Sequence, residues 1–275
     1  LGIAANYAGQ FAGLLIALPL AQGTLTLFNS SPRAETLLPG VLIFLLLSLP
    51  MLIFFKEPHK TLSKLNLKQE LKSTISNTKA IFSFSGVGFF LLAYFLFNDA
   101  ILTAANNFPI FLEQVWQIPD TTKTYLMLLI LVGSGFGALI SGHLSDKFGH
   151  KKTLLFLLIS WLILLPLLGL ITNFILFIFA TGLMGLWYGS NWTVSRSVMS
   201  RVAPKGKHNL AFAYFGLAER ASSLIGPVVW GLIVTNLIEL GTIRYRIAII
   251  TMTIFIFFGI LALLKVKVKE TPLNT

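Results

Sequence analysis

The sequence contains no cysteine, so disulfides, thiolate chemistry and cysteine-built metal sites are all excluded. Charge is scarce as well. Only 11% of the 275 residues are Asp, Glu, Lys or Arg, against about 25% in ordinary soluble domains. Acidic residues are the scarcest of these, 10 against 21 basic ones. There is no H-E-x-x-H, no G-x-S-x-G and no pair of carboxylates spaced for acid–base work inside an apolar run. An enzyme is therefore not expected, and no catalytic residue, resident metal or cofactor is assigned. His143 and His150 lack a carboxylate or second histidine at ligand spacing. "GSGFGA" (133–138) fits a loose dinucleotide fingerprint, but that fingerprint needs a strand before it, and here it lies inside an apolar helix.

What remains is apolar. The chain is 55% hydrophobic, with 24 Phe, 6 Tyr and 5 Trp, more than one compact core of this length would bury. Runs long enough to cross a bilayer, about 20 residues as helix, recur along the chain. Lipid offers no partner to free backbone groups, and no alternating strand pattern suggests a barrel, so the spans read as helices. Eight transmembrane helices are predicted: Leu1–Ala21, Leu37–Phe55, Ala80–Ala105, Tyr125–Ser145, Thr153–Thr172, Phe174–Ser195, Leu210–Thr235 and Ile247–Leu264. The fold class is all-α, a polytopic membrane helix bundle. The chain opens on Leu inside a hydrophobic run with no basic n-region, which suggests that its natural beginning is missing.

The net charge of +11 is distributed unevenly. Lys56, Lys60, Lys64, Lys68, Lys72 and Lys79 follow the second span, and Lys147, Lys151 and Lys152 the fourth. Arg196, Arg201, Lys205 and Lys207 follow the sixth, and Lys265, Lys267 and Lys269 the last. These all fall on one side of an alternating threading, with only Arg33, Lys123, Arg244 and Arg246 on the other. By the positive-inside rule both ends of the chain are cytoplasmic, and the basic excess meets anionic lipid headgroups rather than nucleic acid. Residues 56–79 form a basic cytoplasmic linker between residues 1–55 and residues 80–275. Leu67, Leu71 and Ile75 beside Lys64, Lys68 and Lys72 suggest an amphipathic helix there, with a solvated linker as the alternative.

Ala5, Gly9, Gly13, Ala17 and Ala21, and again Gly133, Gly137 and Ser141, recur at four-residue steps that allow close helix packing. Pro109, Pro166 and Gly226-Pro227 are expected to kink or interrupt their spans.

"GHLSDKFGHKK" (142–152) joins the fourth and fifth spans. It resembles the G-x-L-x-D-[RK]-x-G-[RK]-[RK] cytoplasmic loop of the major facilitator superfamily, matched here by Gly142, Asp146, Lys147, Gly149, Lys151 and Lys152. "LLAYFLFNDAILTAANN", "SRSVMSRVAPKGKHNLAFAYFGLAERASSLIGP" and the opening "GIAANYAGQFAGLL" resemble the vacuole-effluxer-like branch of that superfamily. The resemblance implies twelve helices, of which this chain corresponds to the fifth to twelfth. The first four are lacking, and residues 1–55 are the last two of the N-terminal half. It also implies a secondary active transporter moving a small polar solute, with amino-acid efflux as the known activity of a vacuolar relative. Alternating access about a midplane site is the expected mechanism. A monomer is expected once the missing helices are included. Compact loops and short tails favour a bacterial inner membrane over a eukaryotic vacuole. A non-transporting polytopic receptor or assembly protein stays open beside the transporter.

Asp99, Glu219 and Arg220 are the charges within the predicted spans, where an ionisable group is costly unless paired or wetted. Counting about 1.5 Å per residue from the basic end puts Asp99 about 30 Å and Arg220 about 20 Å along their helices. Asp99, Thr103 and Asn106 share one helix face beside Asn98; Thr181, Tyr188, Asn191 and Ser195 share another, and Glu219 and Ser223 a third. The resemblance puts those helices around a central cavity. Asn98, Asp99, Thr103, Asn106, Tyr188, Asn191, Glu219 and Arg220 are therefore the candidate solute and ion pathway. Arg220 would serve a solute carboxylate, and Asp99 an ammonium or coupling proton. The residues leave alternatives open. Asp99 can mark the outer water boundary instead, Glu219 and Arg220 can make structural ion pairs, and Tyr188 and Asn191 can be packing.

Overall fold

The computed structural model describes residues 2–21, 23–28, 32–55, 76, 78 and 85–268. Every regular element among them is helical: α1 (Gly2–Ala21), α2 (Pro32–Phe54), α3 (Ser85–Phe111), α4 (Asp120–Phe148), α5 (His150–Leu170), α6 (Phe174–Val202), α7 (His208–Ala221), α8 (Ile225–Asn236) and α9 (Ile243–Leu264). A π-helical turn, Leu112–Trp116, prolongs α3, and a short 3-10 turn, Ile238–Leu240, follows α8. Seven helical stretches among the described residues are long and apolar enough to cross a membrane, α7 and α8 together making one of them. The 20-residue α1 has comparable length. The chain is thus an all-helical polytopic bundle.

It divides into two compact units, Ala8–Ile75 and a larger one made of Leu1–Tyr7 with Ser76–Thr275. The linker and amphipathic helix expected between 56 and 79 lie outside the described residues, apart from Ser76 and Thr78. In the smaller unit Glu35 is buried and its carboxylate accepts the backbone N–H groups of Leu27 and Phe28 at 2.7 and 2.9 Å. A carboxylate at the first turn of α2 also complements the helix dipole. This role was missed in the sequence, because the apolar run by itself starts the span at Leu37.

The larger unit is built on two close helix pairs, α4 with α6 and α3 with α9. Its interior is aromatic: Phe90, Tyr94, Phe97, Phe108 and Phe111 of α3, Trp161 of α5 and Phe177 of α6 are fully buried or nearly so. Its outer faces carry exposed Phe156, Ile163 and Phe179, as a lipid-facing surface requires.

Local signals set the helix ends. α4 and α5 are joined through the single residue Gly149 at φ 95°, a conformation that side-chain-bearing residues rarely adopt. The Asn173 side chain caps α6 by accepting Ile175 and Leu176 N–H. Two arginines close carbonyl ends on one side of the bundle: Arg246 donates to Gly169 and Ile171 of the α5 terminus at 2.7 and 2.9 Å, and Arg244 to Val234 of α8. On the other side Lys151 donates to Leu264 and Val266, at 3.0 and 2.6 Å, closing α9. Lys151→Met is expected to cost about 1 kcal/mol, a charge-assisted bond at a partly wet helix end, seen as a lowered melting temperature in detergent.

The helices run through or past several expected interruptions and ends. Helix α3 runs through Pro109 to Phe111, and α5 continues through Pro166. A proline forfeits only its own backbone bond, and packing by neighbouring helices holds the rod. Helix α6 passes the expected end at Ser195 and reaches Val202, because Val198 and Met199 keep a buried face beyond the polar Ser195-Arg196-Ser197. The predicted span Leu210–Thr235 is broken at residues 222–224, ahead of Pro227, which sits harmlessly in the first turn of α8.

Candidate functional site

Helix α7 is amphipathic. Phe215 packs on Tyr94 and Phe90 of α3, while Gly216, Glu219 and Arg220 line a cavity beside it. There they meet Leu102 of α3 with Trp192 and Arg196 of α6 around this cavity of about 480 Å³, with Ser223 at the helix break. Arg196 and Glu219 form an ion pair across α6 and α7 at 3.7 Å. Arg220 is exposed on the cavity wall and enters no ion pair among the described residues. One carboxylate and two guanidinium groups thus share a concave, half-apolar site that is open enough to be hydrated.

Arg196 was read in the sequence only as part of the basic loop after the sixth span. The missed signal is that Trp192 and Arg196 are one helical turn apart, which brings them onto one face once α6 continues past Ser195. Glu219 and Arg220 are adjacent in sequence and do not pair with each other; the partner of Glu219 comes from α6.

Asn98, Asp99 and Thr103 are fully buried on α3. They face the α7–α8 break. The Gly226 N–H donates to Asp99 Oδ2 at 2.7 Å, and Asn98 Nδ2 donates to Ser222 Oγ at 2.5 Å. Ser222 Oγ in turn donates to the Glu219 carbonyl, one turn back. Asp99 Oδ1, Asn98 Oδ1 and Thr103 Oγ1 have no hydrogen-bond partner among the described residues. A Cβ at Gly226 would sit 2.2 Å from Thr103 Oγ1 and 3.0 Å from Asp99 Oδ1, so only glycine lets α8 approach this closely. Asp99 is therefore neither at an open water line nor on the wall of the 480 Å³ cavity. It accepts from the N-terminus of α8, where a carboxylate complements the exposed N–H groups and the dipole.

The remaining candidates scatter. Asn106 is exposed near the far end of α3. Tyr188 is half-buried and stacks toward Trp192 with ring centres 6.0 Å apart, next to the cavity wall. Asn191 and Ser195 are fully buried, and neither amide atom of Asn191 nor the Ser195 hydroxyl has a partner among the described residues. Thr181 is satisfied by the Phe177 carbonyl.

The loop motif is compact. Gly142 and Gly149 flank an exposed stretch, Asp146 lies 3.7 Å from Nε2 of the buried His150, and His150 Nδ1 meets Ser197 Oγ of α6 at 2.8 Å. Lys147 lies over the Phe148 ring, Lys151 caps α9, and Lys152 is exposed. The motif therefore ties α4, α5, α6 and α9 together at one end of the bundle.

Several curated yeast proteins are similar to this chain. Autophagy-related protein 22 of Pichia angusta is 27% identical over 178 residues, covering 59% of this chain and 31% of that protein. The protein of the same name from Saccharomyces cerevisiae is 28% identical over 191 residues, 65% of this chain and 34% of the relative. That from Candida glabrata is 26% identical over 191 residues, again 65% and 34%. The chain spans about a third of the length of these curated relatives. They are yeast proteins, and they lend no support to the bacterial inner membrane expected from loop length. The family described as "Vacuole effluxer Atg22 like" matches residues 1–272, nearly end to end, and the chain belongs to that family.

Proposed function

We propose that this chain forms part of a secondary transporter that moves a small polar solute across a membrane by alternating access. The carrying observation is the cavity between α3, α6 and α7, in which Arg196, Glu219 and Arg220 are gathered inside an otherwise apolar bundle. Charges at such depth are costly and are retained where they bind or relay. Two guanidinium groups and one carboxylate suit a zwitterion, the carboxylate of the solute at Arg220 and its ammonium at Glu219. Leu102 and Trp192 supply apolar wall for a side chain. Amino acids are the solute class that the family resemblance implies.

On this reading the chain corresponds to helices five to twelve of a twelve-helix major-facilitator fold, with residues 56–79 as the linker between halves. Both ends lie in the cytoplasm, where the Lys-rich segments meet anionic headgroups, and the full-length protein works as a monomer. The Gly142–Lys152 loop fixes one arrangement of the C-terminal half. Asp99 carries the coupling proton, since it is the deeply buried carboxylate of the larger unit and no cation pairs with it among the described residues.

The test uses the full-length parent in proteoliposomes with radiolabelled amino acids and an imposed pH gradient. Uptake is expected to follow the gradient, and Asp99→Asn to leave the protein folded while removing the pH dependence. An unchanged pH dependence in that variant removes Asp99 from coupling. Absence of flux for every amino acid tested favours a non-transporting receptor or assembly protein.

A further inference from the structure

The break between α7 and α8 is held from outside by α3. The helical ladder runs up to Ser222, whose N–H still reaches the Ala218 carbonyl, and is interrupted over residues 222–224. On the far side Asp99 of α3 accepts from the backbone N–H of Gly226 at 2.7 Å, and on the near side Asn98 donates to the Ser222 hydroxyl at 2.5 Å. An open backbone at membrane depth persists only where such partners satisfy it. The second observation is a carboxylate oxygen left unengaged. Asp99 Oδ1 is fully buried, has no partner among the described residues, and lies beside the close approach of Gly226 to Thr103.

We infer that Asp99 and the Gly226 N–H form a proton site that works this break as a latch, which deepens the transporter reading given above and rests on it. With the carboxylate charged, Oδ2 holds the Gly226 N–H through a charge-assisted bond and the α8 N-terminus is pinned to α3. A proton reaching the site is taken up on Oδ1, the carboxylate oxygen that has no partner among the described residues. The carboxyl is then neutral, its hold on Gly226 is an ordinary neutral bond, and α8 is free to swing about residues 222–224.

The ionisable groups on the elements packed against α3 leave this site to Asp99. Tyr94 on α3 packs on Phe215. Tyr188 on α6 stacks toward Trp192, and Arg196 pairs with Glu219 of α7. Arg220 lies on the cavity wall, and Tyr214 of α7 meets Thr78. Helix α8 contributes no ionisable side chain. Helix α9 presents Gly259 to Phe97, and its Arg244, Tyr245 and Arg246 are engaged with Val234, one another and the α5 terminus.

No cysteine lies within these 275 residues, so labels are placed uniquely here once any cysteine elsewhere in the full-length parent is replaced. Spin labels on Ile110→Cys in α3 and Leu232→Cys in α8, both on exposed positions, report the distance between these helices by double electron–electron resonance in the full-length parent. A control pair at Ile110 and Ile243 spans α3 and α9. Between about pH 8 and about pH 5 the 110–232 distribution is expected to shift while the control stays fixed. Asp99→Asn is expected to give the acid distribution at both pH values. Gly226→Ala, whose Cβ collides with Thr103, is expected to do the same, and it keeps the test available if Asp99→Asn fails to assemble. A distribution that ignores pH, or whose pH shift survives both substitutions, overturns the latch. Loss of pH-dependent flux in Asp99→Asn with unmoving distances overturns the latch and leaves the transporter reading standing. Moving distances with no flux for any solute sustain the latch and remove the transporter reading.

Discussion

Gly189→Ala is expected to prevent the larger unit from assembling, at a cost on the order of 3–5 kcal/mol. Helices α4 and α6 approach so closely that their backbones touch. A Cβ at Gly189 would lie 1.9 Å from the Ser134 carbonyl oxygen, one at Gly137 would lie 1.8 Å from that of Leu186, and one at Gly185 would lie 2.6 Å from Ile130 Cα. The obstacle in each case is main chain, which has no rotamer to escape into. The same contact is stitched in both directions by hydroxyls: Ser134 Oγ donates to Gly185 O at 3.0 Å, and Ser190 Oγ to Gly137 O at 2.9 Å. In lipid there is little hydrophobic drive to press two helices together, so this packing and these bonds are what hold the pair. Separating the helices to admit one methyl group forfeits both. Gly231→Ala is the control. Nothing lies within 4 Å of a Cβ there, and the exchange should be neutral or stabilise α8 by about 0.5–1 kcal/mol. Melting in detergent, followed by light scattering and size exclusion, reads both variants. A Gly189→Ala protein that melts with its parent shows that the approach of α4 and α6 is looser than described.

That pair also shows how far the sequence was legible. The four-residue steps of Gly133, Gly137 and Ser141 announced a contact face on the fourth span, because small residues at that spacing have one evident use in a membrane helix. The facing partner was not announced. Gly182, Gly185 and Gly189 are spaced by three and then four, and they were masked by the more conspicuous polar run Thr181, Tyr188, Asn191 and Ser195. The number and order of the spans follow from apolar runs alone, since lipid imposes one requirement on every segment. Their ends do not. Arg196 looks like a loop residue because hydropathy falls there, yet the helix continues for another turn and a half and carries Arg196 to the cavity. For Asp99 the sequence supplies depth and helix face, but its partner is the N–H of Gly226, 127 residues away. Gly226-Pro227 announced an interruption of that span, but not which helix would accept the N–H it frees.

Exchanging the charges of Arg196 and Glu219 is expected to separate structural pairing from solute binding. Arg196→Glu alone sets two carboxylates against each other across α6 and α7, and Glu219→Arg alone gathers three guanidinium groups on one cavity; each should lower the yield of assembled protein. The double exchange restores an ion pair at the observed separation of 3.7 Å, so assembly and melting temperature are expected to return to near the parental level. A half-wet pair of this kind contributes modestly to stability, about 1 kcal/mol or less. Flux should not return. Arg220 stays in place while the carboxylate beside it has moved to α6, so the ammonium and carboxylate subsites no longer match one bound solute. Such a mismatch should lower uptake at least about tenfold, the loss of one charge-assisted contact. Uptake by the double variant at the parental rate would mean that Arg196 and Glu219 only brace the helices, and the solute site would have to be sought at Arg220 and the buried amide of Asn191.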